Sequence, residues 1–460
     1  MTDVLIRNGR LVTAEHDFQA DLLMSGEFIA AVGENLAAPP GAEIVEAAGL
    51  LVVPGGVDAH THLDLGLGAA HVSDGWFLGS RAAAYGGTTC VVEHPGFGPE
   101  GCPLEHQLNI YRKNAVESAI DYGLHGVFQH WDERAARDLP ELVRAGCPSF
   151  KAYLTYGGRL DDGALLAALK VLGATGGLMT VHAENHAIVS HLAADLESSA
   201  PHLASSHPRS RPGYAEALAV DTAICLAEAA GGAPLYIVHL SAAAGLEHVR
   251  AARAAGKKVW AETCPQYLVL TDDCYEGDFG QALKYVMAPT PRKREDVLTL
   301  WRGLLDGTIS VVASDHCSFA WADKKTRAAG NVFRSPGGVP GVETRLPLLY
   351  SEGVVKRGMS LSRWVELVST APARLFGLTG KGGLQAGFDA DVVVFDPHFE
   401  KKLAAENLHQ AVDYTPFEDL LVRGWPKMVF ARGRKIVDGE RFMGEPGSGR
   451  FVARQPFSAY

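Results

Sequence analysis

The sequence predicts an α/β fold: a TIM (β/α)8 barrel carrying a small β-sandwich domain formed by the N- and C-terminal segments. Three observations carry this. Both chain ends alternate apolar and polar residues around tight turn signals, the middle alternates short apolar runs with Ala/Leu-rich stretches of helical period, and no GxGxxG turn marks an open dinucleotide-binding sheet. At 460 residues the chain exceeds one small domain and suits a large barrel with an accessory unit.

The opening VLIRNGRLV reads as short antiparallel strands bending at Asn8 and Gly9. The end repeats the style in DADVVVFDP and DLLVRGWPKMVFARGRKIVDG, with a second turn at Arg432 and Gly433. Neither piece holds enough apolar residues for its own core, so residues 1–53 and 381–460 are expected to meet in one sandwich. Residues 54–380 form the barrel region, and eight candidate strands end the count: LLVVPGGVDAH, TTCVVEH, LHGVFQH, SFKAYL, LMTVHAE, LYIVHLS, KVWAET and TISVVASDH. Stretches such as ALLAALKVLGA and YAEALAVDTAICLAEAAGG supply the helices between them. The connection from Asn185 to Gly213, rich in Ser, Pro and His, reads as a surface loop.

Forty-two basic against fifty-three acidic side chains give a net charge of −11 without a Lys/Arg stripe, which disfavours nucleic acid and anionic membrane as partners. The start MTDVLIRNGRLVTAEHDF lacks the basic and apolar regions of a signal peptide, and a cytoplasmic location is expected. Seven cysteines, none spaced CxxC, form neither a disulfide framework nor a thiolate zinc site; Cys90, Cys225 and Cys264 read as packing residues.

Chemistry in such a barrel sits where strands end. The first strand ends in His60 and His62, the fourth delivers Lys151, the fifth ends in His182, the sixth in His239 and the eighth in Asp315. Two histidines at i and i+2 point to one side of a strand, because the pleat repeats every second residue. Imidazole and carboxylate are ordinary ligands of zinc and its neighbours, and an open position leaves room for a reactive water. One strand-end histidine is more often a hydrogen-bonded structural residue, the reading given to His94 and His130. HxH, VHAEN, IVHLS and SDH at four separate strand ends point instead to a metal centre. Lys151 stays open on these grounds: an ammonium has no lone pair for a cation, so it either pairs with an acidic neighbour or takes up carbon dioxide as a carbamate able to bridge two ions.

In order and spacing, GGVDAHTHLD, SFKAYLTYGG, TVHAEN, YIVHLS, AETCPQYL and ASDHC resemble the dihydropyrimidinase and D-hydantoinase branch of the cyclic amidohydrolases. The likeness covers nearly the whole chain and includes the tail GRFVARQPF, similar to an arm that packs on a neighbouring subunit. The resemblance implies hydrolytic ring opening of cyclic amides by a homotetramer. It implies two divalent ions, zinc by preference: one held by His60, His62, carbamylated Lys151 and Asp315, the other by Lys151, His182 and His239, with a hydroxide between them. It gives Tyr156 to the substrate and its developing oxyanion, and makes Asp315 the proton carrier. Without the resemblance, a tyrosine stacked in an apolar loop stands as the lesser alternative for Tyr156. Asp58, His316 and Glu184 lie beside ligands, either orienting imidazoles or making local turn contacts.

Dihydroorotase-like relatives carry an arginine shortly after HxH to grip a carboxylate, whereas LDLGLG follows here, so a neutral ring such as dihydrouracil or a 5-substituted hydantoin is expected over dihydroorotate. Allantoin is the alternative substrate, and a metal-free assembly protein the alternative class. Where relatives show Ser in SPP and Asn before GxPG, this chain has Ala288 and Gly337, both expected to contact substrate through backbone. Leu65, Tyr153 and Leu154 are expected to line the pocket for a ring substituent.

Overall fold

The computed structural model describes residues 2–457. Both chain ends enter one nine-stranded sheet, joined where Val392–Phe395 runs antiparallel to Leu51–Pro54. These two strands are apolar at every position because both faces are covered. Val52, Val392 and Val394 enter the sheet's own core with Ile6 and Leu22, while Val53, Val393 and Phe395 face the barrel core.

The two predicted turns differ in outcome. Arg432 and Gly433, at φ +44° and +71°, do join Leu421–Ala431 to Arg434–Asp438 as a hairpin. Asn8 and Gly9 do not turn the chain, since Val4–Val12 is one strand. Asn8, at φ +57°, forms a bulge where the register shifts between Ile6 and Gly9 and the parallel partner changes from Glu43–Glu46 to Leu51 and Val52. Glycine follows the bulge because a Cβ there would lie 2.5 Å from Val52.

Eight strands make the barrel: Gly56–Thr61, Thr88–Glu93, Asp121–Leu124 continued by Gly126–Val127, Ser149–Tyr153, Leu178–His182, Leu235–Ile237, Val259–Thr263 and Val311–Val312. Neighbours pair in parallel throughout, and the third strand divides its pairing between the second and the fourth. Eighth meets first where Thr61 bridges His316, with the His62 amide donating to the His316 carbonyl at 2.8 Å and the Asp315 amide to the His60 carbonyl at 2.9 Å. Barrel closure and the predicted metal centre therefore share residues. The run LLVVPGGVDAH divides: Leu51–Pro54 belongs to the sheet of the chain ends and Gly56–Thr61 to the barrel.

Two expectations are corrected, for the Asn185–Gly213 connection and for Cys225. The Asn185–Gly213 connection is no loop but holds helices His186–Ser199 and Ser206–Ser210; Asn185 caps the first by accepting from the Ile188 amide at 3.1 Å, and Val189 and Leu196 bury its inner face. Cys225 is exposed on the helix Gly213–Ala229, unlike the buried Cys90 and Cys264. Within the chain the tail also touches the barrel: the Val452 amide donates to the Tyr122 carbonyl at 2.8 Å, Arg454 reaches Ser149 Oγ at 2.8 Å, and Phe457 meets Trp260 edge-on at 5.0 Å. No helix among the described residues is long and apolar enough to cross a membrane.

Candidate metal centre at the barrel rim

All six predicted ligands converge. His60 Nε2 and His62 Nε2 lie 3.2 and 3.3 Å from Asp315 Oδ1, and Lys151 Nζ lies 3.4 Å from His60 Nε2. The His239 ring stands 5.3 Å from His60 and 4.6 Å from His182. The HxH pleat works as the spacing requires, because the intervening Thr61 turns away to donate to Glu93 at 2.6 Å. His239, Asp315 and Tyr156 adopt φ of +39°, +51° and +71°. Left-handed backbone at three non-glycine rim residues is strain of the kind that packed functional sites retain.

Buried partners fix the imidazoles. Glu262 bonds His60 Nδ1, accepts from the His239 amide at 3.1 Å and accepts from the Tyr236 hydroxyl at 2.8 Å. Glu184 holds His182 Nε2 at 2.7 Å, and His62 Nδ1 donates to the His94 carbonyl at 3.1 Å. Each bond occupies one ring nitrogen and leaves the other to face the centre.

Burial holds His60 and His239 well below the usual imidazole range and lowers His182 as well, so these rings are neutral with lone pairs available. Burial also brings the Lys151 ammonium down to about 8, against the opposing pull of Asp315 and Glu262. Asp315 is lowered from the usual carboxylate value despite burial, through the groups that face it, His60, His62 and the Lys151 cation. His60, His62 and Asp315 place one nitrogen or oxygen each within 4.8 Å of one another, and His239 Nδ1 is buried without a partner. Neutral imidazoles, an ionised carboxylate and an unpaired buried nitrogen are the donor set that a divalent cation satisfies.

A cavity of about 470 Å³ opens above this cluster. His62, Lys151, His182, His239 and Asp315 form its floor, Tyr156, Ala288 and Gly337 its sides, and Leu65, Leu67, Phe97 and Tyr153 an apolar flank. Leu154 is not among the lining residues; it packs on the barrel core. A Cβ at Gly337 would meet only Met287 Cα, at 3.9 Å, so the glycine adds width rather than relieving a clash.

Of the neighbours weighed beside the ligands, Glu184 alone touches a ligand ring. Asp58 accepts from the Ser314 amide at 3.1 Å and pairs with Arg345 at 3.3 Å. His316 turns away to Asp74 at 2.7 Å and accepts from the Gly341 amide at 3.0 Å. His130 stays outside the site, 3.7 Å from Asp132. His94 departs from its expected hydrogen-bonded role: it is stacked on His125 at 3.8 Å and edge-on to His60 at 4.3 Å, with neither ring nitrogen bonded.

Sequence reasoning missed Glu262 and Arg211. Glu262 had one signal, an acidic residue ending the strand KVWAET. Arg211 had none, since a helical excursion brings it to the cavity wall, where it pairs with Glu184.

A closed barrel with imidazoles, a carboxylate and a desolvated lysine at its rim, beneath a small-molecule cavity, defines a metal-dependent hydrolase. The Amidohydrolase family profile matches residues 51–436. A D-phenylhydantoinase of Escherichia coli O1:K1 / APEC is 43% identical over 456 residues, spanning 99% of this chain and 98% of the relative. Dihydropyrimidinase from Brevibacillus agri NCHU1002 superposes with a TM-score of 0.97 at 36% identity, each chain covered completely. D-Hydantoinase (dihydropyrimidinase) from Thermus sp. gives 0.95 at 34%, with 99% of each covered. The chain belongs to the Amidohydrolase family, and it is an enzyme.

Proposed function

We propose that this enzyme hydrolyses cyclic amides, opening dihydropyrimidines such as dihydrouracil or 5-substituted hydantoins to N-carbamoyl amino acids. The observation that carries the reading is the convergence of His62, Lys151, His182, His239 and Asp315 on the floor of a largely apolar cavity, with His60 directly behind them, 3.2 Å from Asp315. In this reading residues 54–380 carry the chemistry, and residues 1–53 with 381–460 form the supporting β domain.

His60, His62, Lys151 and Asp315 would hold one divalent ion, and Lys151, His182 and His239 the second, zinc suiting an imidazole and carboxylate set. Burial lowers Lys151 to about 8, so a larger share of it than of an exposed lysine is the free amine near neutral pH, and that share could add carbon dioxide; the resulting carbamate would replace a buried cation with an anion suited to hold both ions. When bound, the ions supply an activated water near neutral pH and polarise the carbonyl under attack.

The protein's own groups do the rest. The Tyr156 phenol, pushed by burial to about 12, keeps its proton and donates to the oxygen that gains charge as the water adds to the ring carbonyl. Asp315, ionised, takes the proton from that water and delivers it to the ring nitrogen as the C–N bond breaks. Backbone groups at Ala288 and Gly337 hold the ring, and Leu65, Leu67 and Phe97 receive an apolar substituent.

A neutral ring is favoured, because Arg211, whose guanidinium alone lines the cavity among the described residues, is already paired with Glu184. That the Escherichia coli relative is a D-phenylhydantoinase supports an aryl-substituted hydantoin among the substrates. Homotetrameric assembly belongs to this reading through the family resemblance, and sedimentation velocity tests it; a cytoplasmic location is part of the same reading. A hydrolysis panel of dihydrouracil, dihydrothymine, hydantoin, 5-phenylhydantoin, allantoin and dihydroorotate with zinc-loaded enzyme tests the substrate class. Turnover of the neutral rings is expected; turnover of allantoin and dihydroorotate alone would reject it.

A further inference from the structure

Tyr156 sits on an irregular segment after the fourth strand, at φ +71°, and the residue is half-buried. A donor aimed at a developing charge has to be held in one orientation, and the segment alone does not supply that. The support comes from another part of the chain. The Arg211 guanidinium carbon lies 5.3 Å from the centre of the Tyr156 ring. Arg211 Nη1 bonds Glu184 Oε2, the oxygen that also holds His182 Nε2 at 2.7 Å.

Arg211 is itself clamped. Arg292 donates to the Arg211 carbonyl, and Arg292 is anchored on Glu216 at 2.9 Å and on Ser241 Oγ at 2.9 Å. Pro212 and the helix Gly213–Ala229 follow at once, so both sides of Arg211 are tied to rigid structure. The planar guanidinium can lie against an aromatic ring while its edge serves a carboxylate, a combination an ammonium does not match.

We infer that Arg211 is a positioning residue for ring opening: held by Glu184 and Arg292, it sets the orientation of the Tyr156 ring and thereby the aim of its hydroxyl. The inference rests on the proposed role of Tyr156, and it excludes Arg211 as a grip for substrate carboxylate, since Glu184 already neutralises it.

The test is a double-mutant cycle on the metal-loaded enzyme with hydantoin as probe, using Tyr156→Phe, Arg211→Met, Arg211→Lys and the combinations. Each variant is also measured for metal content and melting temperature. Tyr156→Phe is expected to lower kcat by about 10²–10³, the loss that follows removal of one oxyanion donor. Arg211→Met is expected to lower kcat roughly 10–100-fold, the scale of misplacing a reacting group by about 1 Å, with KM within about twofold and metal content unchanged. In the Tyr156→Phe background the same substitution should cost less than about threefold, because an interaction shared by two residues is lost only once. Arg211→Lys keeps the charge without the plane, is expected to show the same non-additivity, and decides the matter if Arg211→Met does not fold. Equal losses in both backgrounds would overturn the inference while leaving Tyr156 in place. Metal loss in step with kcat would overturn it too, placing the effect on His182. Undiminished kcat in Tyr156→Phe would overturn the role of Tyr156 itself, and this inference with it.

Discussion

Glu262 Oε1 bonds the Nδ1 of His60, a residue 202 positions earlier in the chain, and the same oxygen accepts from the His239 amide at 3.1 Å. One carboxylate from the seventh strand thus fixes groups from the first and sixth. Burial raises Glu262 to about 7, and its bonds with Tyr236 and His239 act to keep the carboxylate charged. Glu262→Gln removes the charge behind His60 while preserving shape. Metal affinity is expected to fall about 10–100-fold, the usual effect of losing a partner behind a ligand, measured by competition with a chromogenic chelator. An unchanged affinity would remove Glu262 from the centre.

Lys151→Ala deletes the group that stands 3.4 Å from His60 Nε2 and that the two proposed ion sites share. Bound metal should fall below one ion per chain, and hydantoin turnover should be lost. Elemental analysis after dialysis, with circular dichroism to confirm folding, checks this.

The site was legible where local pattern and barrel geometry agree. His60, His62, His182, His239 and Asp315 stand at strand ends, and a closed barrel brings strand ends to one rim whatever their separation in sequence. Lys151 was legible as a position, but its chemistry was not, because its lowered basicity comes from burial among residues distant in the chain. Glu262 and Arg211 were hidden for the same reason, since each acts through a partner the fold supplies. Errors of shape were local. Asn8-Gly9 carries the same turn chemistry as Arg432-Gly433, yet its neighbours pair with two successive parallel strands and force a bulge. The helix His186–Ser199 was masked by Ser and His on its exposed face, leaving Val189 and Leu196 as its fully buried apolar positions.

His207 donates from Nε2 to the Met287 carbonyl at 2.8 Å, beside Ala288 in the cavity wall. Burial lowers it to about 4, so in the folded state it stays neutral while in the unfolded chain it takes up a proton near 6.5. The unfolded state therefore binds more protons between those values. Its contribution to stability is complete above pH 6.5 and is lost as pH falls toward 4. Melting temperatures of metal-stripped protein between pH 7.5 and 4.5 should drop more steeply for the parent than for His207→Gln, which keeps the donor and does not titrate. Equal slopes would contradict this.

Lys381 Nζ lies 2.6 Å from Asp121, 2.9 Å from Asp389 and 2.8 Å from Asp391, joining the β domain to the third barrel strand. Its side chain is 1% exposed, so Lys381→Met strands carboxylates with little solvent to replace the cation. Destabilisation of about 3–5 kcal/mol is expected from breaking a buried ion network on one side. Urea unfolding followed by tryptophan fluorescence measures it; a change below about 1 kcal/mol, the range of exposed pairs, would contradict a buried clamp.

The most direct measurement is an anomalous-difference map from crystals grown with zinc and bicarbonate. Two peaks per chain are expected, one among His60, His62 and Asp315 and one beside His182 and His239, with density beyond Lys151 Nζ for a carbamate reaching both. A bare amine at Lys151 with no peak at either position would contradict the dinuclear centre.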